Sequence, residues 1–102
     1  MADESNPPDS PSSCPAKFPL GQIVTTANAL TKITHEDILP ALGRHVRGDW
    51  GDLDPEDWQA NESALARGGR LFSAYHSAGG VKFYIITEWD RSVTTVLLPE
   101  DY

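Results

Sequence analysis

Residues 44–53 read Arg44-His45-Val46-Arg47-Gly48-Asp49-Trp50-Gly51-Asp52-Leu53, which sets an imidazole, two guanidinium groups, two carboxylates and an indole in one short run. A histidine can take a proton near neutral pH, and an arginine can stabilise charge on a transferring phosphate. One reading is therefore a small toxin-like ribonuclease. In it His45 is the general base beside Asp49 or Glu88, and Arg44 and Arg47 hold the phosphate. Two features weigh against it. No second histidine stands at a fixed helical spacing from His45, and the net charge of -7 repels a phosphate backbone. The structural alternative is that Arg44, His45 and Arg47 close a helix, where cations meet the negative end of its dipole.

The carboxylates that follow invite a second kind of chemistry. Asp49, Asp52, Asp54, Glu56, Asp57 and Glu62 occupy residues 49–62 with no cation among them. Helix capping and solubility account for such a run. A binding role would have it imitate a phosphate array and fill a basic groove on another protein. Trp50 and Trp89, with the carboxylates around each, are the expected anchors, so the binding candidates are Trp50, Asp49 and Asp52 together with Trp89, Asp90 and Arg91. Trp89 falls at a hairpin tip, where it either pins the turn onto the domain or presents an indole to a partner.

Other chemistries lack their residues. A calcium loop needs ligands at alternating positions ending in a glutamate at the twelfth, and here a helix starts too soon after Asp49. His35, His45 and His76 are dispersed, and Cys14 is the single cysteine, so no zinc pattern and no intrachain disulfide is expected. Gly79-Gly80 is followed by Val81-Lys82 and not by the Gly-Lys-Ser/Thr of a phosphate loop. No cofactor and no metal is expected.

The elements that must position these residues are legible from local signals. Residues 1–19 carry five of the eight prolines and read as a disordered tail, leaving 20–102 as one small domain. Gln22 to Thr25 is a candidate strand, followed by a brief helical turn through Leu30. Thr34 and Asp37 mark a helix start, and Ile38, Leu42 and Val46, widened by Leu39, predict its buried stripe. Pro40 falls past the first turn of that helix and is expected to kink it. Asp54 as cap, Pro55, Glu56 and Asp57 in the first turn and Gly68 past the end predict a second helix, with Leu53 and Trp58 as a hydrophobic staple. Beyond Gly69 the period becomes two, predicting strands over 71–76, 81–87 and 93–98.

The fold expected from this is α+β: a short N-terminal strand, two helices and a C-terminal three-stranded antiparallel meander. One face of the meander is covered by the helices and Tyr102 folds back as an aromatic plug. Hydrophobic residues make up 39% of the chain and charged residues 23%, a globular balance. No apolar run approaches the length of a membrane span and the N-terminus lacks a signal-peptide pattern, so a cytoplasmic protein is expected.

The blocks RHVRGDWGDL (44–53) and ITEWDRSVTTVLLPEDY (86–102) resemble a group of small uncharacterised bacterial proteins associated with plasmids and integrated mobile elements. The likeness covers most of residues 20–102. It implies a mobile-element setting and no particular mechanism. Some of that group carry a restriction-modification methylase subunit label, which a chain lacking room for a methyl-donor sheet does not support. The function expected is a non-enzymatic accessory or protein-interaction module, one variant being an acidic inhibitor or nucleic-acid mimic. Its partner is expected to be a protein with a basic surface, with direct nucleic-acid binding disfavoured by charge.

Overall fold

The computed structural model describes residues 16–102. Cys14 and most of the expected tail lie outside them. The last residues of that tail belong to the fold, since the Lys17 N–H donates to the Val46 carbonyl (2.8 Å) and Phe18 is buried.

The elements in chain order are β1 (Gln22–Thr25), α1 (Ala27–Leu30), α2 (His35–Val46), α3 (Pro55–Arg67), β2 (Leu71–His76), β3 (Lys82–Thr87), β4 (Val93–Leu97) and a 3-10 turn at Pro99–Asp101. Both long helices start where their caps put them. The Asp54 carboxylate accepts from the Asp57 N–H (2.9 Å), with Pro55 in the first turn. The Asp37 carboxylate accepts from the Thr34 N–H (3.1 Å), and its other oxygen accepts from the Ala78 N–H (3.0 Å), fastening the start of α2 to the β2–β3 turn. These bonds, that from Ala78 first, hold the Asp37 carboxyl below the usual carboxylate range. The helix α2 runs through Pro40 from His35 to Val46.

The buried stripe of α2 is Ile38, Ala41, Leu42 and His45. It differs from the expected one: Leu39 is among the exposed large hydrophobic residues and Val46 is half-buried. The period is the same, but the face is rotated toward Ala41 and His45. The sheet decides this, because Tyr75, Phe83, Ile85, Val96 and Leu98 form one cluster with Ile38, Ala41 and Leu42.

The sheet corrects the expected architecture. It has four strands in the order β1-β4-β3-β2 and is mixed, with β1 parallel to β4 and the other pairs antiparallel. The chain leaves β1, passes through three helices, enters the sheet at its far edge and meanders back until β4 lies beside β1. An N-terminal strand apart from an antiparallel meander is thus replaced by one sheet. The parallel pair is possible because the helical crossover carries the chain back to the starting end of β1 before β2 begins.

The helix α3 covers an edge. The Asn61 side chain donates to the Phe72 carbonyl (2.5 Å) and accepts from the Phe72 N–H (3.1 Å), standing in for a neighbouring strand. One residue pair further along, the Ala74 N–H donates to the Trp50 carbonyl (3.1 Å) and the Asp52 N–H donates to the Ala74 carbonyl (2.7 Å). The backbone there approaches so closely that a Cβ on Gly51, whose φ is +78°, would fall 2.0 Å from the Ala74 oxygen. The outward-facing backbone of β2 at Phe72 and Ala74 is therefore fully paired, which closes this edge to strand addition.

Asn61 is buried, so replacing it with alanine strands a backbone donor and an acceptor together. Asn61→Ala is expected to destabilise the fold by about 1–3 kcal/mol, read as a lower urea midpoint. Asn61→Asp, which keeps the acceptor toward Phe72 N–H but loses the donor, is expected to retain part of that stability.

Candidate functional site

Among the residues singled out by their chemistry, His45 has the most defined surroundings. It is fully buried near the end of α2. Its Nδ1 lies 2.5 Å from Ser73 Oγ and its Nε2 lies 2.9 Å from Thr87 Oγ1. Thr87 Oγ1 lies 2.7 Å from Thr94 Oγ1, and the Thr94 hydroxyl donates to the Leu20 carbonyl (2.7 Å). The three hydroxyl residues are themselves fully buried. Phe18 (5.2 Å between centroids) and Trp50 (5.6 Å) meet the imidazole edge to face.

This row has a polarity that fixes every proton. The Leu20 carbonyl can only accept, so it takes the single hydroxyl proton of Thr94. Thr87 must then donate to Thr94, which leaves its oxygen to accept from His45 Nε2–H. With Nε2 protonated and the ring neutral, Nδ1 accepts from the Ser73 hydroxyl. Each hydroxyl in the row then donates once, and both imidazole nitrogens are satisfied. Protonating Nδ1 as well would turn the Ser73 hydroxyl from donor to acceptor and put a cation in the core. Burial, with the charge of Arg91 added to it, accordingly pushes the His45 pKa down to about 4.

The neighbouring charged residues are engaged locally. Arg44 grips Asp49 with two bonds (Nε–Oδ2 2.8 Å, Nη2–Oδ1 3.3 Å) and its guanidinium lies over the Tyr75 ring, 4.8 Å from the centroid. The pair holds the Asp49 carboxyl below its ordinary range and raises the Arg44 pKa. The Tyr75 hydroxyl donates to the Asp49 carbonyl (2.6 Å), and burial pushes that phenol upward. Arg47 ends α2, and its guanidinium turns back beside Gly43. Asp52 accepts from or pairs with His76 at the surface (Nδ1–Oδ2 2.7 Å). The Trp50 ring is fully buried and its indole N–H donates to Glu62 (2.7 Å), so this tryptophan is a core anchor, not the binding residue expected from sequence. Of the six carboxylates at 49–62, Asp49, Asp52, Asp54 and Glu62 are spent on bonds within the fold, which breaks up the regular exposed array that phosphate imitation needs.

Glu88 does not join His45. Thr87 points into the core and Glu88, the next residue, emerges on the opposite face of the sheet, so the sheet itself separates the two groups. There Glu88 lines a hollow of about 370 Å³ with Arg70, Ile86, Thr95 and Tyr102. A second hollow of about 330 Å³, lined by Leu53, Asp57, Phe72, Arg70 and Tyr102 among others, adjoins it through the two shared residues. Tyr102 does fold back, edge-on to Phe72 (5.9 Å) and Tyr84 (6.0 Å), but it stays well exposed and plugs neither hollow. Arg70, which sequence reading passed over, is central here. Its signal was weak, being one exposed arginine just before a strand.

The hairpin tip divides its tasks among three residues. Arg91 has a left-handed backbone (φ +62°), and its guanidinium donates to the carbonyls of Gly69, Glu88 (3.2 Å), Trp89 (3.3 Å) and Ala64 (3.2 Å). It thereby sits at the carbonyl end of α3 and locks the turn, so its guanidinium is committed within the fold and not to the binding expected from sequence. The Asp90 carboxylate accepts from the Ser92 N–H (3.1 Å) and hydroxyl (2.6 Å), bonds that lower its pKa. Trp89 is not pinned, and 69% of it faces solvent.

Among the described residues no cluster of three or more His, Cys, Asp or Glu side chains could hold a metal ion, and no helix is long and apolar enough to cross a membrane. No protein-family signature, curated protein or solved structure matches the chain.

The buried neutral histidine has a measurable consequence. Between the unfolded value of 6.5 and the folded value of about 4, the unfolded chain binds a proton that the native protein refuses. Stability is then full above pH 6.5 and falls as the pH drops toward 4, by about 3 kcal/mol for this one group. Denaturant midpoints measured from pH 7.5 to 4 should show that loss. His45→Gln should be less stable at neutral pH and should flatten the slope in this window. Nitrogen-15 shifts should report the Nε2–H tautomer, and an Nδ1–H tautomer would contradict the row as drawn.

Proposed function

We propose that this chain is a non-enzymatic protein-interaction module of the cytoplasm that docks through its β3–β4 hairpin tip. The observation that carries the reading is Trp89, which projects into solvent from a turn already immobilised by Arg91 and Asp90. An indole is the side chain most often found dominating a protein interface, and a rigid support reduces the ordering cost of binding. A large exposed aromatic on a locked turn has no packing role to explain it. Glu88 and Asp90 flank it with carboxylates, and the chain carries a net charge of -7, so the fitting partner has an apolar pocket rimmed by basic residues. The resemblance to plasmid-associated proteins supplies a setting, an accessory protein of a bacterial mobile element. The ribonuclease alternative finds no support in the geometry, because both ring nitrogens of His45 are occupied, its ring is sealed from solvent and Glu88 lies across the sheet.

The test compares parent, Trp89→Ala and Trp89→Phe as immobilised baits on bacterial lysate, followed by titration of any basic protein retained by the parent. Trp89→Ala should bind roughly 30-fold more weakly, the scale of an interface hot spot of about 2 kcal/mol, and Trp89→Phe should lose less. Binding should weaken as salt rises. The fold itself should be almost unaffected, since the side chain is exposed. Equal retention by parent and Trp89→Ala would remove the hairpin tip from the proposal.

A further inference from the structure

The two edges of the sheet are treated differently. The β2 edge is paired at Phe72 by Asn61 and at Ala74 by the 50–52 segment. Among the described residues the β1 edge is open. The Gln22 N–H donates to the Ser92 carbonyl (2.9 Å) and the Thr26 N–H to the Val96 carbonyl (3.0 Å), so the alternation of a strand turns Gln22, Val24 and Thr26 toward β4. The backbone groups of Ile23 and Thr25 point away from the sheet, and among the described residues nothing pairs with them. The strand has no charge, no proline and no bulge, the usual protections of an edge, and it exposes Ile23 (47%) and Val24 (37%).

We propose that this edge pairs with the same edge of a second copy, joining two sheets into one across a two-fold axis at Val24. The register follows from where the strand can pair. Gly21, at φ +66°, leaves extended geometry, and Thr26 begins the cap of α1. Only Ile23 and Thr25 offer groups. A symmetric antiparallel pairing centred on Ile23 or on Thr25 would use one of these residues and waste the other. Centred on Val24, it uses both: the Ile23 N–H donates to the partner copy's Thr25 carbonyl, the partner copy's Thr25 N–H donates to the Ile23 carbonyl, and symmetry repeats the pair. The two Val24 side chains then face each other at the closely spaced, non-hydrogen-bonded position. Two copies of an acidic chain can meet there because Gln22–Thr25 carries no charge, whereas a basic partner finds no carboxylate within the strand to draw it. The chain's own preceding segment is a poor occupant, since prolines at 7, 8, 11 and 15 remove the donors a ladder needs.

Cysteine cross-linking tests the register directly, because directly opposed residues at a non-hydrogen-bonded position lie about 4.5 Å apart at Cα, within disulfide reach. In full-length Cys14→Ser protein under mild oxidation, Val24→Cys should become a covalent dimer, and Leu39→Cys, more exposed but on α2, should stay monomeric. Parent protein should sediment as a dimer at high concentration, and Val24→Lys, which opposes two cations, as a monomer with an unchanged circular dichroism spectrum. Should Val24→Lys fail to fold, the cysteine pair still decides. A parent that is monomeric at every concentration overturns the proposal, as does a dimer that Val24→Cys cannot cross-link. So does an intrachain bond to Cys14 when Val24→Cys is made in parent protein that keeps Cys14, which would put the leading segment on the edge. These readouts are independent of Trp89 docking.

Discussion

A neutral histidine in the core requires that its two ring nitrogens find opposite partners, one donating and one accepting, and much of this molecule is arranged to supply them. Thr94 on β4 donates to the backbone before β1, Thr87 on β3 donates to Thr94, and His45 on α2 donates to Thr87 while Ser73 on β2 donates back to His45. A helix, the antiparallel strands and the segment leading into β1 are thus linked through one directional row of protons. Unlike apolar contacts, which accept sliding and rotation, such a row is satisfied in one arrangement only, and a buried polar group left unpaired costs about 1–3 kcal/mol. Together with the apolar cluster on the sheet, it fixes the rotation of α2. That rotation in turn puts Leu39 outside and Ala41 inside.

Around this row the aromatic groups of Phe18 and Trp50 complete a wall that excludes water, and Trp50 is itself oriented by its bond to Glu62 on α3. The loop that looked most reactive is thereby turned into packing. Its arginine and aspartate clasp each other, its glycine lets the backbone lie against Ala74, and its tryptophan goes inward. Among the described residues, the outward features include the hairpin tip, the hollows around Arg70 and Tyr102 and the β1 edge. Two of these surfaces are an indole on a turn held by hydrogen bonds and a strand edge that is unpaired among the described residues.

How far the sequence could be read depended on the range of the interaction. The caps at Asp37 and Asp54, the proline and glycine that bracket α3 and the alternation of β2, β3 and β4 act over a few residues, and each was legible. A signal for the buried row was also present: Ser73, Thr87 and Thr94 share strand parity with Tyr75, Ile85 and Val96, so three hydroxyls fall on an apolar face and call for a polar partner. His45 lies in the same helical register as Ile38 and Leu42. The signal is weak because threonine is also an ordinary strand residue.

Composition and local pattern by themselves determined that this is a small acidic α+β domain with two capped long helices and a run of C-terminal strands. Only the tertiary structure decided that β1 joins β4 in parallel, that Asn61 substitutes for a missing strand, that His45 and Glu88 lie on opposite sides of the sheet and that Trp50 is buried while Trp89 is not. Caps and alternation are energies between neighbours in the chain, and the residue types state them. Pairing, burial and convergence are energies between residues distant in sequence, and their outcome depends on which face of each element the others leave to be covered.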